Sequence, residues 1–246
     1  MTFVSTRCGQ FTYFSRQVGE AVWHGKKVLD FGGNIGNILR DPNLTIDHQL
    51  YWCLDVDQES IETGKQRYPE ANWCFYNRYS FFFNPHGIHH LPIPDLSHKF
   101  DYILAFSVFT NTSQADMLQL VDQLERLLAD GGTLVFTFID PYSLSWGAPH
   151  RNNFQWRLDL EKERGNISTS QAESLDRRAQ DAEWFILVNG SDLFIETDDV
   201  PVYEAERERT FHVFHTEKYI KTLFPQAAIL PPANNEMQHG CVIRKG

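Results

Sequence analysis

The chain reads as an α/β fold: a doubly wound, mostly parallel sheet with helices on both faces. Three observations predict it. From residue 26 to residue 140, short continuously apolar runs alternate with amphipathic stretches of helical period, the pattern of strands buried on both faces. The first run ends in a glycine-rich turn, Gly32-Gly33-Asn34-Ile35-Gly36. The second ends in an acid, Asp55, about twenty residues beyond that turn.

Taken in order, residues 10–24 carry apolar side chains at helical spacing in their second half, predicting a partial helix that leads to Gly25. Lys26-Lys27-Val28-Leu29-Asp30-Phe31 is a short buried strand, and the glycine turn after it opens a helix ending near Pro42. Residues 50–56 form the second strand. Asp57 caps a helix over roughly 58–67, which stops before Pro69. Trp73-Cys74-Phe75-Tyr76 is the third strand, followed by an irregular stretch, 77–99, punctuated by Pro85, Gly87, Pro92 and Pro94. Residues 101–106 form the fourth strand. Over 114–129 one helical face collects Met117, Leu120, Val121, Leu124, Leu127 and Leu128, and Gly131-Gly132 ends the helix. Residues 133–139 are a fifth, strongly apolar strand.

The alternation then breaks. Residues 141–215 hold two polar helical stretches, near 153–164 and 169–181, and two apolar runs, 184–188 and 193–195, around Asn189-Gly190-Ser191, a hairpin signal. A helix at 217–223 and strands at 227–230 and 241–244 resume the pattern and bring the strands of the sheet to seven. The organisation expected is an N-terminal helix and lid (1–25), a core (26–140 and 216–246), and an insertion (141–215) covering the ligand side of the sheet.

A length of 246 residues accommodates one such domain with an insertion. The net charge is −10 and basic residues are scattered, so a nucleic-acid partner is not expected. Cys8, Cys53, Cys74 and Cys241 form no CxxC pair and no metal-ligand spacing; they read as buried free thiols of a reducing compartment, the cytoplasm. Neither a signal peptide nor a membrane-spanning run is read, so no membrane partner is expected, and the lack of metal-ligand spacing leaves no metal expected.

In an open parallel sheet, ligands sit beyond the carboxyl ends of the strands, where strand order reverses. There Gly32 and Gly36 remove side chains where a ligand must approach backbone, and Asn34 tolerates left-handed conformations. Asp55 can accept hydrogen bonds from both hydroxyls of a ribose. The ligand implied is a nucleoside or nucleotide.

KKVLDFGGNIGN, YWCLDVDQESI, KFDYILAFSVFTN and LERLLADGGTLVFTF resemble the successive motifs of class I, Rossmann-like S-adenosylmethionine-dependent methyltransferases. The resemblance covers roughly residues 26–140. The closing helix–strand–strand pattern is similar to that family's ending, which implies an antiparallel last strand. It further implies S-adenosylmethionine as cofactor. Asp30 then helps hold the methionine amino group, and Gly32, Gly33, Asn34 and Gly36 form the loop passing the methionyl and ribose parts. Asp55 takes the ribose, Val56 lies beside adenine, Asn77 reads the adenine amino group, and Phe106 and Ser107 lie under the cofactor. Asn34 replaces the family's usual middle glycine, and Asn77-Arg78-Tyr79 its more usual acidic pair.

Methyl transfer to an O or N atom of a small molecule or peptide needs positioning and a dry cavity more than a signature base. Candidates for a base are His215, on a segment where it and His212 point to opposite faces, and Tyr142, beside Pro141 at the end of the fifth strand. Other features read as either ligand-facing or ordinary: the loop histidines His86, His89 and His90; Tyr13 and Arg16 ahead of the first strand; the acidic stretch 192–208; and Trp146, Trp156 and Trp184, as pocket or core. A nicotinamide-dependent oxidoreductase shares the glycine turn and strand-two acid, but Asp30 before the glycines, the FDYIL strand and the closing pattern argue against it. A non-catalytic module that kept the fold is the third reading.

Overall fold

The computed structural model describes residues 9–145, 148–196, 211–232 and 237–246. Five strands lie parallel: β1 (Val28–Phe31), β2 (Tyr51–Asp55), β3 (Asn72–Phe75), β4 (Phe100–Ala105) and β5 (Leu128–Phe138). Their helices are α1 (Gln10–Val18) ahead of β1, α2 (Gln58–Arg67) and α3 (Gln114–Leu127). The insertion begins with a ribbon, β6 (Leu144–Ser145) and β7 (Ala148–Asn152). It continues through α4 (Asn153–Glu163) and α5 (Thr169–Ala179) into β8 (Trp184–Val188), β9 (Asp192–Ile195) and β10 (Phe211–His215). The chain closes with α6 (Glu217–Leu223), β11 (Ala228–Leu230) and β12 (His239–Arg244).

The main sheet has seven strands in the order β11-β12-β5-β4-β1-β2-β3, with β12 antiparallel to both neighbours, as the sequence resemblance implied. One face buries Leu29, Leu54, Ile103, Leu134 and Phe136 against Met117, Leu120, Val121 and Leu124 of α3 and Ile220 of α6. The other buries Val28, Cys53, Leu104 and Val135 against Phe11 and Phe14 of α1, Trp23, and Ile61 of α2. The caps are local and legible: Asp57 accepts from the Glu59 amide, Ser113 from that of Asp116, and Asn152 and Ser168 each form a reciprocal capping box.

Three expected elements differ. The helix predicted from the glycine turn to Pro42 is a single 3₁₀ turn, Asn37–Arg40. Too few residues precede the proline for helical propagation to offset nucleation, and α1 covers that face instead. The N-terminal helix occupies the first half of 10–24, and Gly19, at φ 77, caps it. Gly131-Gly132 does not end α3, which stops at Leu127; the pair lies within β5. The β4–β5 register shifts between Phe100 and Tyr102, Gly131 takes φ +74, and a Cβ on Gly132 would sit 2.8 Å from the Phe100 carbonyl oxygen.

The insertion has its own core. Its sheet, ordered β10-β8-β9, buries Phe185, Leu187 and Phe214 against Phe154 and Leu158 of α4 and Leu175 of α5. The opposite face buries Trp184, Ile186, Phe211 and Val213. That two-sided burial is why residues 184–188 read WFILV without alternation. Asn189 (φ 53) and Gly190 (φ 72) make the predicted turn. Asp140 links insertion to core: one carboxylate oxygen accepts from the Tyr142 amide at 2.7 Å, the other from the Glu217 amide at 2.8 Å. Among the described residues no helix is long and apolar enough to cross a membrane.

Candidate cofactor site

Chain order reverses between β1 and β4, and a cavity of about 550 Å³ opens beyond the carboxyl ends of these strands and β2. Eight of the ten residues expected there line it: Asp30, Gly32, Gly33, Asn34, Asp55, Val56, Phe106 and Ser107.

Asp30 is buried at the end of β1 and accepts a 2.7 Å hydrogen bond from the Tyr51 hydroxyl. Burial is the chief reason its carboxyl is pushed up to about 7; the Tyr51 bond opposes that shift and the Asp55 charge adds to it. The glycine loop lies directly on this group: a Cβ on Gly33 would come within 2.5 Å of Asp30 Oδ2 and 2.9 Å of Cys53 Sγ. Gly32 (φ +75) donates its amide to Leu54 O at 2.8 Å, tying the loop to β2.

Asn34 takes φ 54, and its amide donates to Asp55 Oδ2 at 2.7 Å, while the Asp57 amide donates to Oδ1 at 2.8 Å. A carboxylate offers about four acceptor positions, so Asp55 is oriented by backbone and keeps capacity on both oxygens for a ligand diol. Burial raises its pKa, with the backbone bonds opposing. Ser107, at φ 60, donates its amide to Thr137 Oγ1 at 2.7 Å and accepts from Gln238 Nε2 at 3.1 Å; Thr137 also donates to Gln238 Oε1. This network fixes the floor of the cavity from β5 and from the approach to β12.

Two expected residues do not line the cavity. Asn77 is exposed, and its Oδ1 accepts from Asn84 Nδ2 at 3.1 Å. The extended backbone after β3 alternates, so Tyr76 and Arg78 point inward and Asn77 outward. Gly36 packs on Trp73, whose ring lies 2.9 Å from where its Cβ would be, at φ +77. The candidate bases lie elsewhere too. His215 is fully buried, burial lowers its pKa to about 3, and its ring stacks with those of Trp184 and Tyr219. Tyr142 donates its hydroxyl to Ala179 O at 2.6 Å, anchoring the end of α5.

Residues not anticipated complete the wall. Asn37 is 8 % exposed, and its buried Oδ1 has no partner. Arg78, 3 % exposed, donates to Leu91 O at 2.7 Å, to Gln119 Oε1 at 2.8 Å and to the Asp116 carboxylate. Strand alternation carried past Tyr76 would have found Arg78; nothing in the sequence marks Asn37 or Gln238. His89 and His90 reach the wall, His89 stacked on Tyr79 at 4.0 Å and His90 Nδ1 3.5 Å from Asp116 Oδ1. Tyr13 is buried edge-on to Phe106, Arg16 is exposed, and Trp184 belongs to the insertion's core. Trp156 is half-buried outside the wall, and Cys74, expected buried, is half-buried. Cys8, Trp146 and residues 197–208 of the acidic stretch lie outside the described residues. Among the described residues no three His, Cys, Asp or Glu side chains gather as for a metal ion.

Residues 29–134 match the family model of a methyltransferase domain. Those residues carry a methyltransferase domain. The antiparallel β12 of this methyltransferase also separates its sheet from the all-parallel dinucleotide-binding arrangement of the nicotinamide enzymes. Solved structures share its fold. An S-adenosylmethionine-dependent methyltransferase from Clostridium acetobutylicum ATCC 824 is 15% identical with a TM-score of 0.53, covering 98% of this chain and 91% of its own. CalS10, an amino pentose methyltransferase from Micromonospora echinaspora, is 13% identical with a TM-score of 0.54, covering 99% and 93%. The glycopeptide N-methyltransferase MtfA is 8% identical with a TM-score of 0.53, covering 100% and 92%. No curated protein sequence matches the chain.

Proposed function

We propose that this methyltransferase moves a methyl group from S-adenosylmethionine to an O or N atom of a small molecule or peptide. The observation that carries the reading is the convergence of Asp30, Asp55 and the Gly33–Asn34 backbone on one cavity. The residues present fit the cofactor. Gly33 lets the loop backbone lie against the Asp30 carboxylate, where any Cβ would clash with it, and the orphaned Asn37 Oδ1 in the same wall is an acceptor awaiting a donor. Asp55 would hold the ribose hydroxyls, Asp30 and Asn37 the methionyl ammonium, and Val56 the adenine face. Bound there, the cofactor supplies an electrophilic methyl on a sulfonium that leaves as a neutral thioether when an acceptor lone pair displaces it.

The chain's own contribution is orientation and exclusion of water. The left-handed Ser107 and its bonds to Thr137 and Gln238 hold the floor rigid beneath the reacting atoms. The N-terminal segment 1–25 and the insertion 141–215 act as covers: Gln10 of α1 and Phe211 of β10 both reach the wall. Three unpaired thiols, Cys53, Cys74 and Cys241, support the reducing cytoplasm as its location. An amino sugar methyltransferase and a glycopeptide N-methyltransferase with this fold support a small-molecule or peptide acceptor.

Calorimetry with S-adenosylhomocysteine tests the reading. Micromolar binding is expected, weakened at least tenfold by Asp55→Asn and also by Asn37→Ala, with only a small change in the melting temperature of Asn37→Ala, because its oxygen has no native hydrogen bond to lose and its Nδ2 makes only a long 3.5 Å bond to Asn34 Oδ1. Absence of binding at high micromolar concentration would reject the assignment.

A further inference from the structure

Beyond the cofactor cradle, the wall changes character. Tyr79, Phe81 and Phe83, on the loop after β3, and Phe211, at the start of β10, line it. These segments are rooted at different strands of the sheet. The loop follows β3, the last strand at one edge; β10 is fastened near the end of β4 by the Val213 amide donating to Thr110 O at 2.9 Å. They meet above the cavity, where the Phe81 and Phe211 rings lie 5.5 Å apart at an interplanar angle of 33°. Phe82 and Phe83 remain 37% and 56% exposed at this rim, an unusual position for two adjacent large apolar side chains.

Charge in the wall is already matched. Four described lining residues are Asp, Arg, Lys or Glu: Asp30, Asp55, Arg78 and Asp116. The two strand-end acids face the cofactor cradle. The Arg78 guanidinium is buried and donates to Leu91 O, Gln119 and Asp116, and Asp116 accepts from Arg78 and from Ser113 Oγ at 2.9 Å. No Lys or Arg of the described wall is left to receive a carboxylate or phosphate, and the acceptor-side carboxylate, Asp116, already faces Arg78 and His90. An ion entering this aromatic end would lose hydration without gaining a partner. The remaining polar groups carry no permanent charge: Asn111 and Thr112, and the imidazoles of His89, stacked on Tyr79, and His90, 3.5 Å from the Asp116 carboxylate.

We infer that the methyl acceptor is a flat, uncharged aromatic molecule that stacks beneath the Phe81–Phe211 pair, a narrowing that rests on the methyl-transfer reading above. Offset and edge-on ring contacts favour such a guest over an aliphatic one of equal size. Phe81 and Phe211 are then specificity residues, remote from the groups that hold the cofactor.

Three probes with one ring system and different charge test this: 2-naphthol, 2-naphthoate and 2-naphthylmethylammonium, titrated at neutral pH into the full chain with and without saturating S-adenosylhomocysteine. The expected result is 2-naphthol binding at least tenfold more tightly than either ion. Phe81→Leu and Phe211→Leu, which keep bulk and apolarity but remove the ring, should weaken it at least fivefold while S-adenosylhomocysteine affinity stays within twofold. Equal or tighter binding of either ion, no binding of 2-naphthol, or unchanged affinity in both variants would overturn the inference. Failure of S-adenosylhomocysteine itself to bind the unaltered protein is a separate result, and it rejects the methyl-transfer reading.

Discussion

At the scale of single residues, Asp30 has the most consequential environment. Its carboxyl sits beneath the Gly33 backbone with one short bond from Tyr51, and burial holds its pKa near 7. In the unfolded chain the same group ionises near 4. Between those values the native state keeps a proton that the unfolded state has released, so stability falls as pH rises through that window. The penalty is absent below it and complete above it, at roughly 1.4 kcal/mol per pH unit at most. Asp55, raised in the same direction by burial, adds to the effect. Asp30→Asn removes the Asp30 share and keeps an acceptor for the Tyr51 hydroxyl. Melting curves from pH 5 to pH 8 should show the variant gaining on the unaltered protein as pH rises, by a few degrees or more at pH 8. At pH 8 its affinity for S-adenosylhomocysteine should be at least tenfold weaker. A stability difference independent of pH would show that Asp30 is not the buried acid described. Asp30 and Asp55 were legible in the sequence because a strand end fixes where its last side chain goes. Asn77 falls outside the cavity wall because the residue facing inward after β3 depends on the phase of an extended segment, and that phase brings in Arg78. Asn37 carries no mark in sequence: its importance lies in an unpaired buried oxygen, which only packing reveals.

At the scale of elements, the insertion shows how a short turn can be held by a distant charge. Glu161 of α4 is fully buried and accepts from Asn166 at 2.6 Å and from Arg164 at 3.2 Å, with Arg157 2.7 Å away. Gly190, in the β8–β9 turn, packs against it: a Cβ there would lie 2.6 Å from Glu161 Oε2, at a φ of +72. Gly190→Ala therefore meets both a backbone penalty and a clash with a carboxylate that its partners keep in place. Urea unfolding should show a loss of about 2–4 kcal/mol, with S-adenosylhomocysteine affinity nearly unchanged because the turn is remote from the cavity wall. Loss below 0.5 kcal/mol would mean that Glu161 is free to move. Most elements could be read from periodicity, and α6 matches its expected span because Thr216 caps it and apolar spacing defines it. The failures share one cause. After the glycine turn and at Gly131-Gly132 the local signal was real, but a nearby proline in one place and strand pairing with β4 in the other decided which structure glycine served.

At the scale of the whole molecule, two cores face each other across the cavity. The seven-stranded sheet supplies the cofactor cradle and the insertion's sheet supplies Phe211. The sequence pattern breaks at residue 141 and resumes near 216, and the insertion is expected between them. Its meeting with the loop after β3 was not legible, because that contact joins residues far apart in sequence through neither motif nor period. A cofactor held between these layers binds the folded state alone. At a hundredfold excess over its dissociation constant, S-adenosylhomocysteine should raise unfolding free energy by about 2.7 kcal/mol, and NAD should raise it by nothing measurable. Stabilisation by NAD in its place would reverse the choice between methyl transfer and hydride transfer.

The most direct measurement is a crystal structure with S-adenosylhomocysteine bound. It should place both ribose hydroxyls within 3.2 Å of Asp55, the amino group against Asp30 and Asn37, and the sulfur facing the space beneath Phe81 and Phe211. A ligand seated elsewhere, or a cradle closed by the chain's own side chains, would contradict the account.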